Sequence, residues 1–124
     1  MITHHLKSAD AQSKSRVRSA SLTVIGDTAY MTVIPPLPLN PLMSAADQAR
    51  EILRSIEDRL ATIGSDKRQI AHITIWLADV SYFAEVTAVW NEWVDPQNPP
   101  ARACVRADLA RPEVLVEIMV TAAK

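Results

Sequence analysis

The side chains best placed to do chemistry are Arg102 and Glu117, in the segments Ala101-Arg102-Ala103-Cys104-Val105 and Val116-Glu117-Ile118. A guanidinium at a partly dry boundary is a bidentate receptor for a small carboxylate. A glutamate beside it can order or deprotonate a water. On spacing alone the pair reads as ordinary cross-strand neighbours of opposite charge, worth a fraction of a kcal/mol, so chemistry needs a setting that excludes bulk water. Cys104 is a candidate thiolate nucleophile, but no His or Asp partner is placed by the sequence, and packing is the preferred role. His4, His5 and His72 do not make the three or four convergent ligands that a metal needs, so no metal is expected. Gly26 and Gly64 are the only glycines, which excludes a Gly-rich phosphate loop. Lys14, Arg16 and Arg18 alternate, and charge protecting a strand edge explains them better than a phosphate-facing stripe.

Composition narrows the partners. Thirteen Lys and Arg against fourteen Asp and Glu leave a net charge of -1, so nothing draws the chain to a polyanion and nucleic acid is not an expected partner. The single cysteine forbids an intrachain disulfide, and the first residues carry no apolar secretory core. No apolar run approaches the roughly 20 residues that span a bilayer, so neither membrane nor export is expected and the location predicted is cytoplasmic. A chain of 124 residues holds one core, predicted here over residues 16–124 behind a flexible polar arm over residues 1–15.

The elements that would position Arg102 and Glu117 follow from hydrophobic periodicity. Val17 to Ile25 and Thr28 to Ile34 alternate around Gly26-Asp27, a hairpin signature. The Pro-rich stretch from Pro35 to Pro41 must be an extended loop. Ser44 caps a helix whose apolar positions Ala49, Ile52, Leu53, Ile56, Leu60 and Ile63 recur near every 3.6 residues until Gly64. Ile70 to Ala78 alternates as a strand, with Ile70, His72, Thr74 and Trp76 on one face. Ser81 to Val94 fits a second helix with Phe83, Val86, Trp90 and Trp93 as its apolar stripe, ended by Asp95-Pro96. Ala101 to Asp108 and Val114 to Ala122 read as a closing hairpin. The order is ββαβαββ, an α+β two-layer domain with five strands and both helices on one face.

That arrangement leaves the other sheet face bare. In the closing hairpin Ala103, Val105 and Ala107 with Val116, Ile118 and Val120 are expected beneath the helices. Arg102, Cys104 and Arg106 with Leu115, Glu117 and Met119 are expected on the bare side, joined by His72 and Trp76. Aromatic, thioether and thiol groups among a few charges do not suit a face left in water, so the reading is a homo-oligomer whose bare faces meet, with any pocket at a subunit boundary.

The stretch Ile75-Trp76-Leu77-Ala78-Asp79-Val80-Ser81-Tyr82-Phe83-Ala84-Glu85-Val86, then Trp90-Asn91-Glu92-Trp93, Pro100-Ala101-Arg102-Ala103-Cys104-Val105 and Val116-Glu117-Ile118, resembles the Rid family. These are the YjgF-like reactive-intermediate deaminases, often labelled endoribonuclease L-PSP. The resemblance implies a chorismate-mutase-like fold, a homotrimer around a central barrel of sheet faces, and three sites in the clefts between subunits. It implies hydrolytic deamination of small enamine/imine intermediates such as 2-aminoacrylate to a 2-keto acid and ammonia, with no metal or cofactor. Arg102 matches the arginine that binds the substrate carboxylate, Glu117 the glutamate near the hydrolytic water, and Cys104 a position whose backbone lines the pocket. Three positions depart from the family pattern. Val33 stands where most members have glycine, Ser19 where an aromatic residue often stands, and Thr87 where the second helix carries Asn. A β-branched Val33 in place of glycine is expected to alter the pocket. The competing readings are a non-catalytic trimer that binds a small carboxylate and, more distantly, a ribonuclease.

Overall fold

The computed structural model describes residues 1–7 and 17–124. Its elements in chain order are β1 (Ile2–Leu6), β2 (Ala20–Ile25), β3 (Thr28–Val33), α1 (Ala45–Ala61), β4 (Ile70–Leu77), α2 (Phe83–Trp93), β5 (Ala101–Arg106) and β6 (Val116–Ala123). One mixed sheet runs in the order β1-β2-β3-β6-β4-β5. After β1 the order is the ββαβαββ read from the sequence, and the two layers are those of an α+β domain.

Local chemistry explains most boundaries. Gly26 takes φ +56 at the first central position of the β2–β3 turn, where Ile25 pairs with Thr28 across the two-residue loop. The Ser44 hydroxyl accepts the Asp47 backbone N–H at 3.1 Å and starts α1. Gly64, at φ +74, ends the turn after α1, and the Ser65 N–H reaches back to the Leu60 carbonyl at 3.0 Å. Asp79 caps a short 3-10 turn, Val80–Tyr82, which leads into α2. Lys67 Nζ donates to the Trp93 carbonyl at 2.6 Å and satisfies one orphan acceptor at the far end of α2.

The core lies between the helices and one sheet face. Ile52, Leu53, Ile56 and Leu60 of α1 and Val86, Val89 and Trp90 of α2 are buried with Leu22, Val24, Ala29, Met31 and Val33 from the first hairpin. Ile73, Ile75 and Leu77 from β4 and Val116, Ile118 and Val120 from β6 complete it. Each fully buried Ile or Leu contributes about 2 to 3 kcal/mol. Phe83, placed by periodicity in the core stripe, is instead 49% exposed. Ile70, expected on the bare face, is buried because a register shift between Ile70 and His72 turns its side chain inward.

Two larger expectations are corrected. The polar start of the chain is not all arm: Ile2–Leu6 pairs antiparallel with β2, so the sheet has six strands. Residues 8–15 of the expected arm, and Lys14 and Arg16 of the expected basic stripe, lie outside the described residues. The second correction concerns the closing hairpin, which does not form. β5 pairs parallel with β4, the strand before α2, while β6 inserts between β3 and β4 and runs antiparallel to both. The β4-α2-β5 unit is a crossover, which a parallel pair requires and a tight turn cannot provide.

That topology resets one strand's faces. β6 has the predicted orientation, with Val116, Ile118 and Val120 beneath the helices and Glu117 and Met119 on the bare side. β5 is inverted. Arg102 and Cys104 are level with Ile73 and Ile75 and share their helix-side face, while Ala103 and Val105 face away and Val105 is 48% exposed.

Candidate functional site

The β4-α2-β5 crossover builds one half of the site. Phe83, Thr87 and Trp90 are spaced at i, i+4 and i+7 on α2, so they form a stripe along one side of the helix. Arg102 lies against that stripe from the sheet edge. Its Nη2 donates to Thr87 Oγ1 at 2.9 Å. Its guanidinium carbon stands 5.7 Å from the Phe83 ring centroid and 5.4 Å from that of Trp90. Cys104, two residues on, is half-buried on the same face. Burial pushes its thiol above the ordinary pKa, and the neighbouring Arg102 charge only partly offsets this. The thiol is thus held protonated, which argues against a nucleophile.

The backbone of β5 adds donors to this half. Because the Ala107 N–H bonds to the Leu77 carbonyl, alternation turns the N–H groups of Ala103 and Val105 toward β4 and those of Arg102 and Cys104 toward the open edge of the sheet. A guanidinium and two edge N–H groups are therefore presented together.

The other half lies on the bare face. Glu117 lines a recess of about 70 Å³ with Ile34, Arg111 and Val114. Further along β3 and β6, a cavity of about 310 Å³ is lined by Lys7, Ser19, Tyr30, Thr32, Met119 and other residues of these strands. Lys7 Nζ donates to Ser19 Oγ at 2.8 Å there. Sequence reasoning placed Arg102, Cys104 and Glu117 together on the bare face and named Thr87 and Ser19 only as departures from the family pattern. It did not foresee that these residues lie on two surfaces. Within one protomer Arg102 and Glu117 point to opposite faces, on strands separated by β4.

Val33 belongs to neither half. Its side chain is 0% exposed, in the core beneath the helices, so it is corrected from a pocket residue to a packing residue. Two further side chains position the bare-face half. Gln48 is 1% exposed; it donates Nε2 to the Glu113 carbonyl at 2.9 Å and accepts the Leu115 N–H at 2.8 Å, pinning the entry to β6 two residues before Glu117. Arg59 reaches from α1 to the Ser21 carbonyl at 2.8 Å, and partial burial lowers its pKa. No signal in the sequence points to this role of Gln48, because its partners lie 65 and 67 positions away. Among the described residues no group of three or more His, Cys, Asp or Glu could hold a metal ion, and no helix is long and apolar enough to cross a membrane.

The mixed sheet with two helices on one face, and the arginine-bearing edge beside the second helix, define an α+β domain of known type. The family model described as Endoribonuclease L-PSP matches residues 24–124, and the chain belongs to this family, the Rid or YjgF family. A RutC family protein of Haemophilus influenzae is 38% identical over 106 residues, covering 85% of this chain and 90% of that protein. The 3-aminoacrylate deaminase RutC of Acinetobacter baylyi is 31% identical over 93 residues, covering 72% and 73% of the two chains. The crystal structure of NMB1025, a YjgF family member from Neisseria meningitidis, superposes with a TM-score of 0.84 at 32% identity, covering 100% of this chain and 95% of that one.

Proposed function

We propose that this chain is a cytoplasmic, homotrimeric deaminase that hydrolyses small enamine/imine intermediates to 2-keto acids and ammonia without metal or cofactor. The observation that carries the reading is the Arg102 guanidinium beside the outward N–H groups of Arg102 and Cys104 at an open sheet edge. In a family one of whose relatives is named a 3-aminoacrylate deaminase, that edge suits a planar 2-imino acid. The guanidinium takes the carboxylate through two parallel N–H···O bonds, and an edge N–H holds the departing nitrogen in place. Glu117 acts on the water. It takes one proton as the water oxygen bonds to the imine carbon and passes it to the imine nitrogen, giving the carbinolamine. It then takes the carbinolamine hydroxyl proton and passes it to the amino nitrogen as the C=O forms and the C–N bond breaks. The products are the ketone and ammonia. An imine carbon is already electrophilic, so positioning supplies most of what the step needs.

Because Glu117 and Arg102 face opposite ways in one protomer, this step requires the edge of one copy to dock on the bare face of the next. The bare face has the composition for that role: Met119 is 40% exposed and Tyr30 43% exposed, with Trp76 and Thr74 partly buried beside them. Each seam of a trimer then holds Arg102, Thr87 and Cys104 from one subunit and Glu117 and Ser19 from its neighbour.

The test generates 2-aminoacrylate with a dehydratase, follows semicarbazone trapping, and measures the sedimentation mass in parallel. Wild-type protein should outcompete the trap as a trimer, and Arg102→Ala should not. A well-folded monomer, or equal rates for the two proteins, would end the proposal.

A second reading has one observation in its favour: within a protomer Glu117 and Arg102 face opposite sides of the sheet. A trimer whose seam does not bring Glu117 to the guanidinium would bind a small carboxylate without turning it over. Thermal stabilisation by a keto acid, lost in Arg102→Ala and unaccompanied by deamination, distinguishes it. Ribonuclease activity stands third, since a net charge of -1 offers no general attraction for RNA.

A further inference from the structure

Resting on the carboxylate-binding reading of Arg102, we infer that Phe83, Thr87 and Trp90 form a cradle that fixes the Arg102 guanidinium before any ligand arrives. They are positioning residues, and Thr87 acts through Arg102 rather than on the substrate.

Both aromatic centroids lie within the roughly 6 Å at which a ring face attracts a guanidinium. Thr87 sits between them on the helix and accepts from Nη2. The two kinds of contact restrict different motions: the rings limit displacement of the guanidinium plane, and the hydroxyl limits rotation within it. An arginine on an edge strand would otherwise sample many rotamers, which a ligand would have to freeze. Nη2 spends one of the five N–H donors on Thr87, leaving its second N–H, paired with Nε or Nη1, as a two-bond edge for a carboxylate.

Phe83 separates cradle from core. Trp90 is 6% exposed and would be retained for packing alone, whereas Phe83 is 49% exposed and contributes little burial. A half-exposed aromatic at the start of α2 has a reason to be there if it holds Arg102. The departure at position 87 fits as well. A threonine hydroxyl on a stiff β-branched side chain is a fixed acceptor for one N–H.

The cradle predicts a ligand-free signature. In the NMR spectrum of the unliganded protein, the Arg102 Nε–Hε resonance should be displaced by ring currents from the random-coil position and should exchange slowly with water. Phe83→Leu should move it back toward random coil and raise the Kd for 2-oxobutanoate about fivefold, while Phe83→Tyr should preserve both. Thr87→Val, which keeps shape and removes the acceptor, should speed exchange with a smaller change in ring-current shift. A wild-type resonance already at random coil, or one unmoved by Phe83→Leu, overturns the cradle. Should the resonance respond as stated while 2-oxobutanoate fails to bind wild-type protein, the cradle stands and the carboxylate reading falls.

Discussion

Arg102 and Glu117 occupy opposite faces of one sheet: Arg102 is level with Ile73 on the helix side of β4, and Glu117 is level with Trp76 on the bare side. Two strand spacings and three residues along β4 put their Cα atoms about 14 Å apart, before the divergence of the side chains is counted. No rotamer change brings them together within a protomer. A shared function makes the subunit boundary part of the chemistry.

From this follows a complementation test. Arg102→Ala and Glu117→Gln are each expected to be inactive as pure assemblies. When the two are refolded together in equal amounts, about a quarter of seams should pair an intact arginine with an intact glutamate drawn from different copies. Deamination near that fraction of wild type is the expected result. A mixture no more active than its parents would mean that the two residues do not share a seam.

The Cys104 thiol offers a titration. Burial raises its pKa and Arg102 lowers it, with burial the larger effect. Between the ordinary cysteine pKa and the raised value, the folded chain keeps a proton that the unfolded chain releases. Cys104 therefore contributes stability that is present below that window and lost as pH rises through it. Iodoacetamide alkylation followed from about pH 7 to about pH 11 should titrate later than for a free cysteine. Arg102→Gln should shift the profile later still, and an earlier titration in that variant would contradict the assigned causes.

Val33→Gly introduces the glycine that the family resemblance implies at this position without opening a pocket, because the valine side chain fills core rather than site. The expected effect is a loss of about 3 kcal/mol in stability from the deleted methyl groups and the freer backbone. Chemical denaturation measures it directly. A variant as stable as wild type with altered ligand affinity would return position 33 to the site.

Gln48→Ala strands the Glu113 carbonyl and the Leu115 N–H without their partner. A loss of about 1 to 3 kcal/mol is expected, since two part-buried backbone groups lose their hydrogen bonds. If Gln48 also fixes the approach to Glu117, kcat should fall in the folded fraction while ligand affinity stays near wild type. Unchanged stability would show that water replaces the amide at no cost.

How much of this was legible in the sequence depended on the range of the contacts involved. The caps at Ser44 and Gly64, the hairpin at Gly26 and the stripes of α1 and β6 rest on neighbours within a turn, and periodicity exposed them. β5 was misread because alternation gives two faces without saying which is inward. Pairing with β6 would turn Arg102 outward, whereas pairing with β4 turns it toward Thr87. Strand partnership is a long-range choice, and no local signal distinguishes a hairpin from a crossover when the intervening residues suit both. β1 was missed because Thr3, His4 and His5 lack apolar alternation; its order comes from the ladder with β2. The resemblance pointed to Arg102, Cys104 and Thr87, which the structure sets close together, yet it carried no information on the burial of Val33.

The insertion of β6 between β3 and β4 bears on how the chain is made. Every strand that β6 joins leaves the ribosome before it does, so the nascent sheet has a gap at its centre and two unsatisfied edges flanking it. Translation stalled ahead of Val116 would release a product able to capture strands from other chains. The same late strand carries Glu117, so a copy able to contribute the glutamate is one whose sheet has already closed.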